Sequence, residues 1–368
     1  MSRSLLDPMA VSGRLDRLRR RMDADASLLV TSLTNIRYLT GFTGSAGMLF
    51  VLPEESVLLT DGRYESQAEE QLAASSAPVR VRVAAAAGQR EVATGLVAEH
   101  GVRTLALEAA HVTWARQRSF DSEWFPELEL EPTVGLVEEL RQVKDEGELA
   151  RLAAAAEIAD DALLSVRALL AGGPTESEFG RALDYAMRER GAAGPSFETI
   201  VASGPNGAKP HHRPGARSIG RGEPIVLDFG ALVDGYCSDM TRTVWVGDLQ
   251  HPELRRAYQV VLDAQAAGVA AVRAGVTCVD VDRACREVIA EAGWADRFVH
   301  GTGHGVGLDI HEAPSVSAAS TDTLVAGHVV TVEPGVYLPG LGGVRIEDTV
   351  VVTDDGCRPL TSTPKDRP

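Results

Sequence analysis

The stretch IVLDFGALVDGYCSDMTRTVWV (225–246) decides how the second half of this chain is built. Two apolar runs flank Asp234-Gly235, a dipeptide that favours a two-residue hairpin turn because both turn positions need positive φ. With these two residues as the turn, Val233 faces Tyr236 and Gly230 faces Asp239. Side chains alternate along a strand, so Asp228 shares the face of Gly230 and becomes the diagonal neighbour of Asp239. Such neighbours lie roughly 7–8 Å apart, close enough for two carboxylates to share a metal ion or a pair of ions. A bare buried carboxylate is costly, so acids among apolar strand residues need compensation. Either acid can instead face solvent or pair with Arg242, and the hairpin alone does not choose.

Two later strands carry further acids. In VVTVEPG (329–335), Glu333 ends an apolar run just before a turn expected at Pro334-Gly335. In GGVRIEDTVVV (342–352), alternation puts Arg345, Glu347 and Thr349 on one face and Val344 and Ile346 on the other. Arg345 then stands where it can orient or neutralise a ligand carboxylate. A surface pair between Arg345 and Glu347 is the plainer alternative.

Between the hairpin and these strands lies HGTGHGVGLDIHE (300–312), which holds three of the nine histidines. His300 and His304 have helical i, i+4 spacing, but the surrounding glycines disfavour a helix. Gly301 occupies the position where a zincin needs its glutamate, and Val306 the position of the last glycine in a dinucleotide fingerprint. The glycines instead suggest backbone passing close to a ligand or metal centre. Four carboxylates and one imidazole suit Mn(II), Co(II), Fe(II) or Zn(II) rather than a thiolate zinc site. That charge exceeds what one divalent ion balances and suits two, the arrangement of hydrolases that polarise a carbonyl under attack.

The rest of the chain sets bounds. Of 368 residues, 36 are Lys or Arg and 52 Asp or Glu, giving a net charge of −16. That argues against nucleic acid as a partner. No apolar run reaches the roughly 18 residues of a membrane span, and the basic N-terminal segment (1–22) lacks a signal-peptide core. Arg14, Arg17, Arg19, Arg20 and Arg21 are expected on the wet side of an amphipathic helix. The four cysteines form no CxxC pair, and Cys278 and Cys285 are spaced to share one side of a helix, so a cytoplasmic location is expected.

Apolar runs at 27–31, 47–52 and 56–60, and a helix at 61–72 capped by Asp61, predict a small N-terminal α/β domain over 1–142. The charged stretch 138–148 is the expected link to a second domain over 143–368. That domain should open with an alanine-rich helix reaching residue 172 and a second over 175–190, where Thr175 and Glu178 are placed as a capping box. Further helices are expected over 252–274 and 279–292. Helix pair then strands, twice over, suggests an α+β fold with an internal pseudo-repeat.

The blocks LDFGALVDGYCSDMTRT, HGTGHGVGLDIHE, VVTVEPGVY and GVRIEDTVVV resemble those of the pita-bread metallopeptidases. TNIRYLTGFTGSAG, LLTDGRYESQA and SFETIVASGPNGAKPHH resemble, more narrowly, bacterial aminopeptidase P and Xaa-Pro dipeptidases. The resemblance covers nearly the whole chain. It implies a creatinase/prolidase-type N-terminal domain and a pita-bread catalytic domain with a pseudo-twofold repeat. It implies two divalent ions, Mn(II) foremost, held by Asp228, Asp239, His304, Glu333 and Glu347, with Asp239 and Glu347 bridging both. It implies substrate roles for His300, His311 and the loop histidine His211, with His212 the lesser choice. A hydroxide between the ions would attack the carbonyl before proline, Glu333 handling its proton and His311 supporting the developing oxyanion. The implied substrates are small peptides with proline second, cleaved more in the manner of aminopeptidase P than of a strict dipeptidase, by a homo-oligomer. Methionine aminopeptidase activity fits the five ligands but not the N-terminal domain. A silent binding protein on the same fold would be expected to have lost ligands.

Overall fold

A computed structural model describes residues 6–23 and 25–367; the first five residues of the segment read above for a signal peptide lie outside them. The chain forms two compact units, Met1–Arg141 and Gln142–Pro368.

The first unit begins with α1 (Arg14–Arg19), β1 (Ser27–Val30), α2 (Leu33–Thr40), β2 (Met48–Val51) and β3 (Ser56–Thr60). It continues through α3 (Glu65–Ser75), β4 (Arg80–Val83), α4 (Gln89–Glu99), β5 (Thr104–Glu108), α5 (Trp114–Ser119), β6 (Glu129–Thr133) and α6 (Glu138–Gln142). The strands make one mixed six-stranded sheet in the order β4-β3-β2-β1-β5-β6. The three apolar runs expected as strands are its centre, β1 to β3, buried throughout. Two expectations fail. Asp61 does not cap α3: its carboxylate accepts the backbone N–H of Arg63 at 3.0 Å and Nε at 2.9 Å, closing a local turn, and the helix starts at Glu65. Arg14 is not on the wet side of α1. It is buried, donates to the Tyr38 carbonyl at 2.8 Å and stacks over the Tyr38 ring at 4.2 Å, while Arg17, Arg20 and Arg21 stay exposed.

The second unit opens on α7 (Glu146–Val166), started by a capping box between Asp145 and Glu148. It gives way to a 3₁₀ stretch over Arg167–Gly172, so the regular helix stops short of the expected residue 172. The capping box of Thr175 and Glu178 is present at the start of α8 (Glu176–Glu189). Then come β7 (Gly194–Pro195), β8 (Ile200–Ser203), β9 (Ile225–Phe229), β10 (Ala231–Val233), β11 (Tyr236–Cys237) and β12 (Met240–Val244). A second helix pair follows, α9 (Pro252–Ala271) and α10 (Cys278–Glu291), with Cys278 and Cys285 both fully buried. The chain closes with β13 (Gly303–Gly305), β14 (Glu312–Val316), β15 (Val329–Val332), β16 (Gly335–Leu338), β17 (Gly342–Arg345), β18 (Asp348–Val352) and β19 (Cys357–Pro359).

Each helix pair buries its own half of the strands. Ile158, Phe179, Leu183 and Met187 pack with Leu227, Phe229 and Met240. Val261, Val281, Cys285 and Ile289 pack with Val330, Val332, Val344 and Ile346. Each such side chain contributes about 1.5–3 kcal/mol when fully buried, which fixes the strand faces firmly. With Leu227 and Phe229 committed to one core, Asp228 must face away from it. With Val330, Val332, Val344 and Ile346 committed to the other, Thr331, Glu333, Arg345 and Glu347 are turned to the opposite face.

Candidate metal-binding active site

The turn expected at Asp234-Gly235 is present. Asp234 and Gly235 have φ of 46° and 78°, and Val233 pairs with Tyr236. Beyond it the register stays in step, with Met240 opposite Phe229 and Thr241 opposite Asp228. Asp228 and Asp239 are therefore diagonal neighbours, as expected. Asp239, Glu333 and Glu347 each sit where one strand hands over to the next: after β11, after β15 and after β17. Pro334-Gly335 is not a turn, because Gly335 begins β16 and pairs with Arg345; it is the bend that separates β15 from β16. Proline at this junction has no N–H to place in a ladder, which is why it interrupts the strand.

His304 projects from β13, a strand wedged between β14 and β15. A Cβ on Gly303 would lie 2.0 Å from the Thr331 carbonyl oxygen, and one on Gly305 2.3 Å from that of Ala313. The glycines flanking His304 thus admit the neighbouring strands, and Gly303, with Gly301, also lines the cleft, so the backbone passes close to the site as expected.

Oxygens of Asp228, Asp239 and Glu347 lie within 4.8 Å of one another. His304 Nε2 stands 3.3 Å from Glu333 Oε1 and 3.6 Å from Asp239 Oδ2. Arg345, fully enclosed, donates through Nη2 to Asp228 Oδ2 at 2.5 Å, through Nε to Thr241 Oγ1 at 3.1 Å and through Nη1 to the Tyr337 hydroxyl at 2.8 Å. Thr241 donates in turn to Glu347 Oε2 at 2.7 Å. Neither plain alternative holds, since Arg242 pairs with Asp348 and Arg345 reaches Asp228 rather than Glu347.

His300 Nε2 meets the Tyr337 hydroxyl at 2.7 Å. His311 stacks edge-on against His304, their ring centres 4.4 Å apart. His211 stands exposed on the rim, and His212 beside it meets Glu176 Oε2 at 2.8 Å. Asp228, Asp239, His304, Glu333, Glu347, Arg345, His300, His311 and His211 all line one cleft of about 500 Å³.

The electrostatics of this cluster are those of an excess of negative charge. Burial, then the charges of Glu347 and Asp228, pushes the Asp239 carboxyl well above its ordinary range. Burial, then the charges of Glu333 and Asp228, does the same to Glu347. Asp228 is also raised by burial, with Arg345 pulling against it. Burial acts on Glu333 too, but the hydrogen bond and charge of His304, with help from His300 and Arg345, bring it down to about 2. Burial lowers His300 and His311, the latter further repelled by His304. One buried oxygen, Glu347 Oε1, has no hydrogen-bond partner among the described residues. An orphaned carboxylate oxygen facing two other acids is expensive unless a cation takes it up. Hard oxygen donors with a single imidazole fit divalent ions such as Mn(II), and such charge would reverse the upward shifts.

Tyr337 and Thr241 escaped the sequence reading although both touch the site residues. Thr241 was within reach, since the hairpin register that pairs Gly230 with Asp239 also pairs Asp228 with Thr241. Tyr337 was not, because its contact with Arg345 needs the β16–β17 hairpin to form first.

Residues 150–354 match the model of metallopeptidase family M24, and residues 14–143 that of the creatinase/prolidase N-terminal domain. The chain is 40% identical over 339 residues to an uncharacterised peptidase of Bacillus subtilis, covering 92% of this chain and 94% of that one. The fold resembles an Xaa-Pro dipeptidase from Bacillus anthracis, with a TM-score of 0.91 and 38% identity over 96% of this chain and 98% of that one. It also resembles an X-Pro aminopeptidase from Thermotoga maritima, with a TM-score of 0.89 and 35% identity over 95% and 99% of the two chains. Pita-bread catalytic unit, creatinase/prolidase N-terminal unit and acidic cleft thus define a metallopeptidase. The chain belongs to metallopeptidase family M24.

Proposed function

We propose that this enzyme is a dinuclear exopeptidase that hydrolyses the bond between an N-terminal residue and proline, acting as an aminopeptidase P. The observation that carries the reading is the unpartnered Glu347 oxygen among the buried acids of a cleft that is also lined by histidines. The structural relatives bearing Xaa-Pro peptidase names supply the substrate class.

Asp228, Asp239, His304, Glu333 and Glu347 would hold two divalent ions, with Mn(II) the first choice. Bound there, such ions supply Lewis-acid activation of water and of the scissile carbonyl. The chain's own residues do the remainder. Glu333, at the strand junction beside His304, accepts the proton lost by the attacking water and passes one to the departing proline nitrogen. His311, kept neutral by burial and by His304, donates a hydrogen bond to the oxygen on which charge develops. His300, fixed by Tyr337, and His211 on the rim line the substrate channel. Arg345 holds Asp228 in place and, through Thr241, Glu347. The exposed rim at His211 and Ser315 leaves room for a chain continuing beyond proline, which favours aminopeptidase P over a strict dipeptidase.

Metal-stripped protein reloaded with Mn(II), offered Ala-Pro, Ala-Pro-Ala, Ala-Ala-Ala and Met-Ala-Ser, tests this directly. Metal-dependent cleavage of Ala-Pro-Ala before proline is the expected result. Cleavage confined to Ala-Pro would make the enzyme a dipeptidase, and release of methionine alone a methionine aminopeptidase. We place the enzyme in the cytoplasm as a homo-oligomer, which light scattering of the purified protein tests. Among the described residues no helix is long and apolar enough to cross a membrane.

A further inference from the structure

Arg242, on β12, and Asp348, at the start of β18, form an ion pair whose side chains are only 3% and 8% exposed, and neither lines the cleft. Each is next in sequence to a site residue, Arg242 to Thr241 and Asp348 to Glu347. Arg242 donates through Nη2 to Asp348 Oδ1 at 2.8 Å, and through Nη1 to the carbonyls of Thr241, at 3.0 Å, and Glu347. Asp348 also accepts from Gln265 Nε2, on α9, at 3.0 Å. Thr349 donates through Oγ1 to the carbonyl of Asp239 at 2.8 Å. The backbone of both acids given a bridging role by resemblance is therefore tied to residues 347–349. Well-packed apolar side chains stabilise a core at least as well as a buried ion pair does. What this pair secures is geometry.

The segment Leu360–Asp366 has no regular secondary structure, yet it is bonded along its length. Leu360 N donates to the Thr349 carbonyl at 2.9 Å, and Thr361 Oγ1 to Asp348 Oδ1 at 3.1 Å. The Thr363 carbonyl accepts from Arg242 Nε at 2.8 Å. Lys365 Nζ reaches Asp348 Oδ2 at 2.6 Å and Gln265 Oε1 at 2.7 Å. The same segment is anchored to the other helix pair. The buried Asp160 carboxylate, on α7, accepts from N and Oγ of Ser362 at 2.7 and 2.8 Å, and from N and Oγ1 of Thr363 at 2.7 and 2.6 Å. Arg167 pairs with Asp366 one residue beyond Lys365. Residues 360–366 thus join α7 of the first half to α9 and β18 of the second.

Resting on the dinuclear reading, we infer that residues 360–366 brace the metal site. Pinned at Asp160, they hold Arg242 and Asp348, which fix the backbone of Glu347 and, through Thr349, of Asp239. Acids crowded in one cleft repel one another, and a fixed backbone keeps them gathered before any ion arrives. A site ordered beforehand loses less freedom on binding and so binds more tightly. Asp160, Arg242, Asp348 and Lys365 are positioning residues.

The test measures the Kd of metal-stripped protein for Mn(II) by chelator competition, with thermal unfolding of the metal-free protein alongside. Asp160→Asn turns an amide NH2 toward two of the four donors. It should raise the Kd of the weaker ion about tenfold, the low end of the cost of losing an outer partner of a ligand. Lys365→Met alters a partly exposed side chain and should leave folding intact while raising that Kd about threefold; Lys365→Arg should restore it. Ile289→Val trims the core on α10 and touches none of these hydrogen bonds; it should lower the unfolding temperature and leave the Kd unchanged. Wild type that binds two ions, with Asp160→Asn or Lys365→Met folded and equal to it in affinity, would overturn the inference alone. So would an affinity that falls with stability in Ile289→Val as it does in Asp160→Asn, which is what a merely structural role gives. Wild type that binds no Mn(II) would sink the dinuclear reading and the inference with it.

Discussion

Two groups of acids and histidines in this molecule look alike by distance alone. Glu108, His111 and Glu138 in the first unit bring ligand atoms as close together as do Asp228, Asp239 and Glu347 in the second. Their hydrogen bonds separate them. Glu108 is spent on structure: its carboxylate accepts from Thr31 N at 2.6 Å, Ser32 N at 2.8 Å and Asn35 Nδ2 at 2.7 Å, tying β5 to the start of α2. Glu138 accepts from Asn35 at 2.6 Å and meets His111 at 2.8 Å; burial pushes its carboxyl up, but these hydrogen bonds outweigh it and hold the group below the ordinary value. In the second unit, burial and mutual repulsion drive Asp239 and Glu347 upward, and one oxygen of Glu347 has no hydrogen-bond partner among the described residues. A cluster becomes a metal site when its lone pairs are unspent; proximity alone does not make one.

Substitutions on the two sides should diverge accordingly. Glu347→Ala has the largest effect: bound metal, measured by elemental analysis, falls from about two ions per chain to none, and peptidase activity goes with it. His311→Ala leaves the metal content intact while kcat falls roughly 10²–10³-fold, the cost of losing one oxyanion donor. Metal loss in that variant would mean that the histidine supports the ligands rather than the reaction.

Glu108→Ala should do the reverse of Glu347→Ala. It leaves the backbone donors of Thr31 and Ser32 without their acceptor and costs about 1–3 kcal/mol in urea unfolding, with metal content unchanged. A different effect, on pH dependence and not on metal, belongs to Glu176, whose carboxyl is brought down to about 2 because Asn206, Ser203 and His212 outweigh its burial. A depressed folded pKa contributes stability that is present above the unfolded value of 4.5 and is lost as pH falls toward 2. Glu176→Gln should flatten the fall in thermal stability between those pH values and leave the curve near neutrality with the same shape.

Much of the catalytic unit was legible because its rules are local. The turn at Asp234-Gly235 fixes the register that sets Asp228 beside Asp239, and Thr175 with Glu178 marks the start of α8 within four residues. Alternation against Val344 and Ile346 places Arg345 and Glu347 on the site face without knowledge of their partners. What stayed hidden depends on distant segments meeting. Arg14 reads as a surface residue until Tyr38 covers it, and Tyr337 acquires its role only when Arg345 and His300 converge on its hydroxyl. Asp61 reads as a cap until Arg63 takes its carboxylate.

Anomalous diffraction from crystals grown with Mn(II) would locate the metal ions themselves. Two peaks are expected among Asp228, Asp239, His304, Glu333 and Glu347 and none beside Glu108, His111 and Glu138. An empty catalytic cluster, or manganese bound in the first unit instead, would contradict a dinuclear site in the second unit.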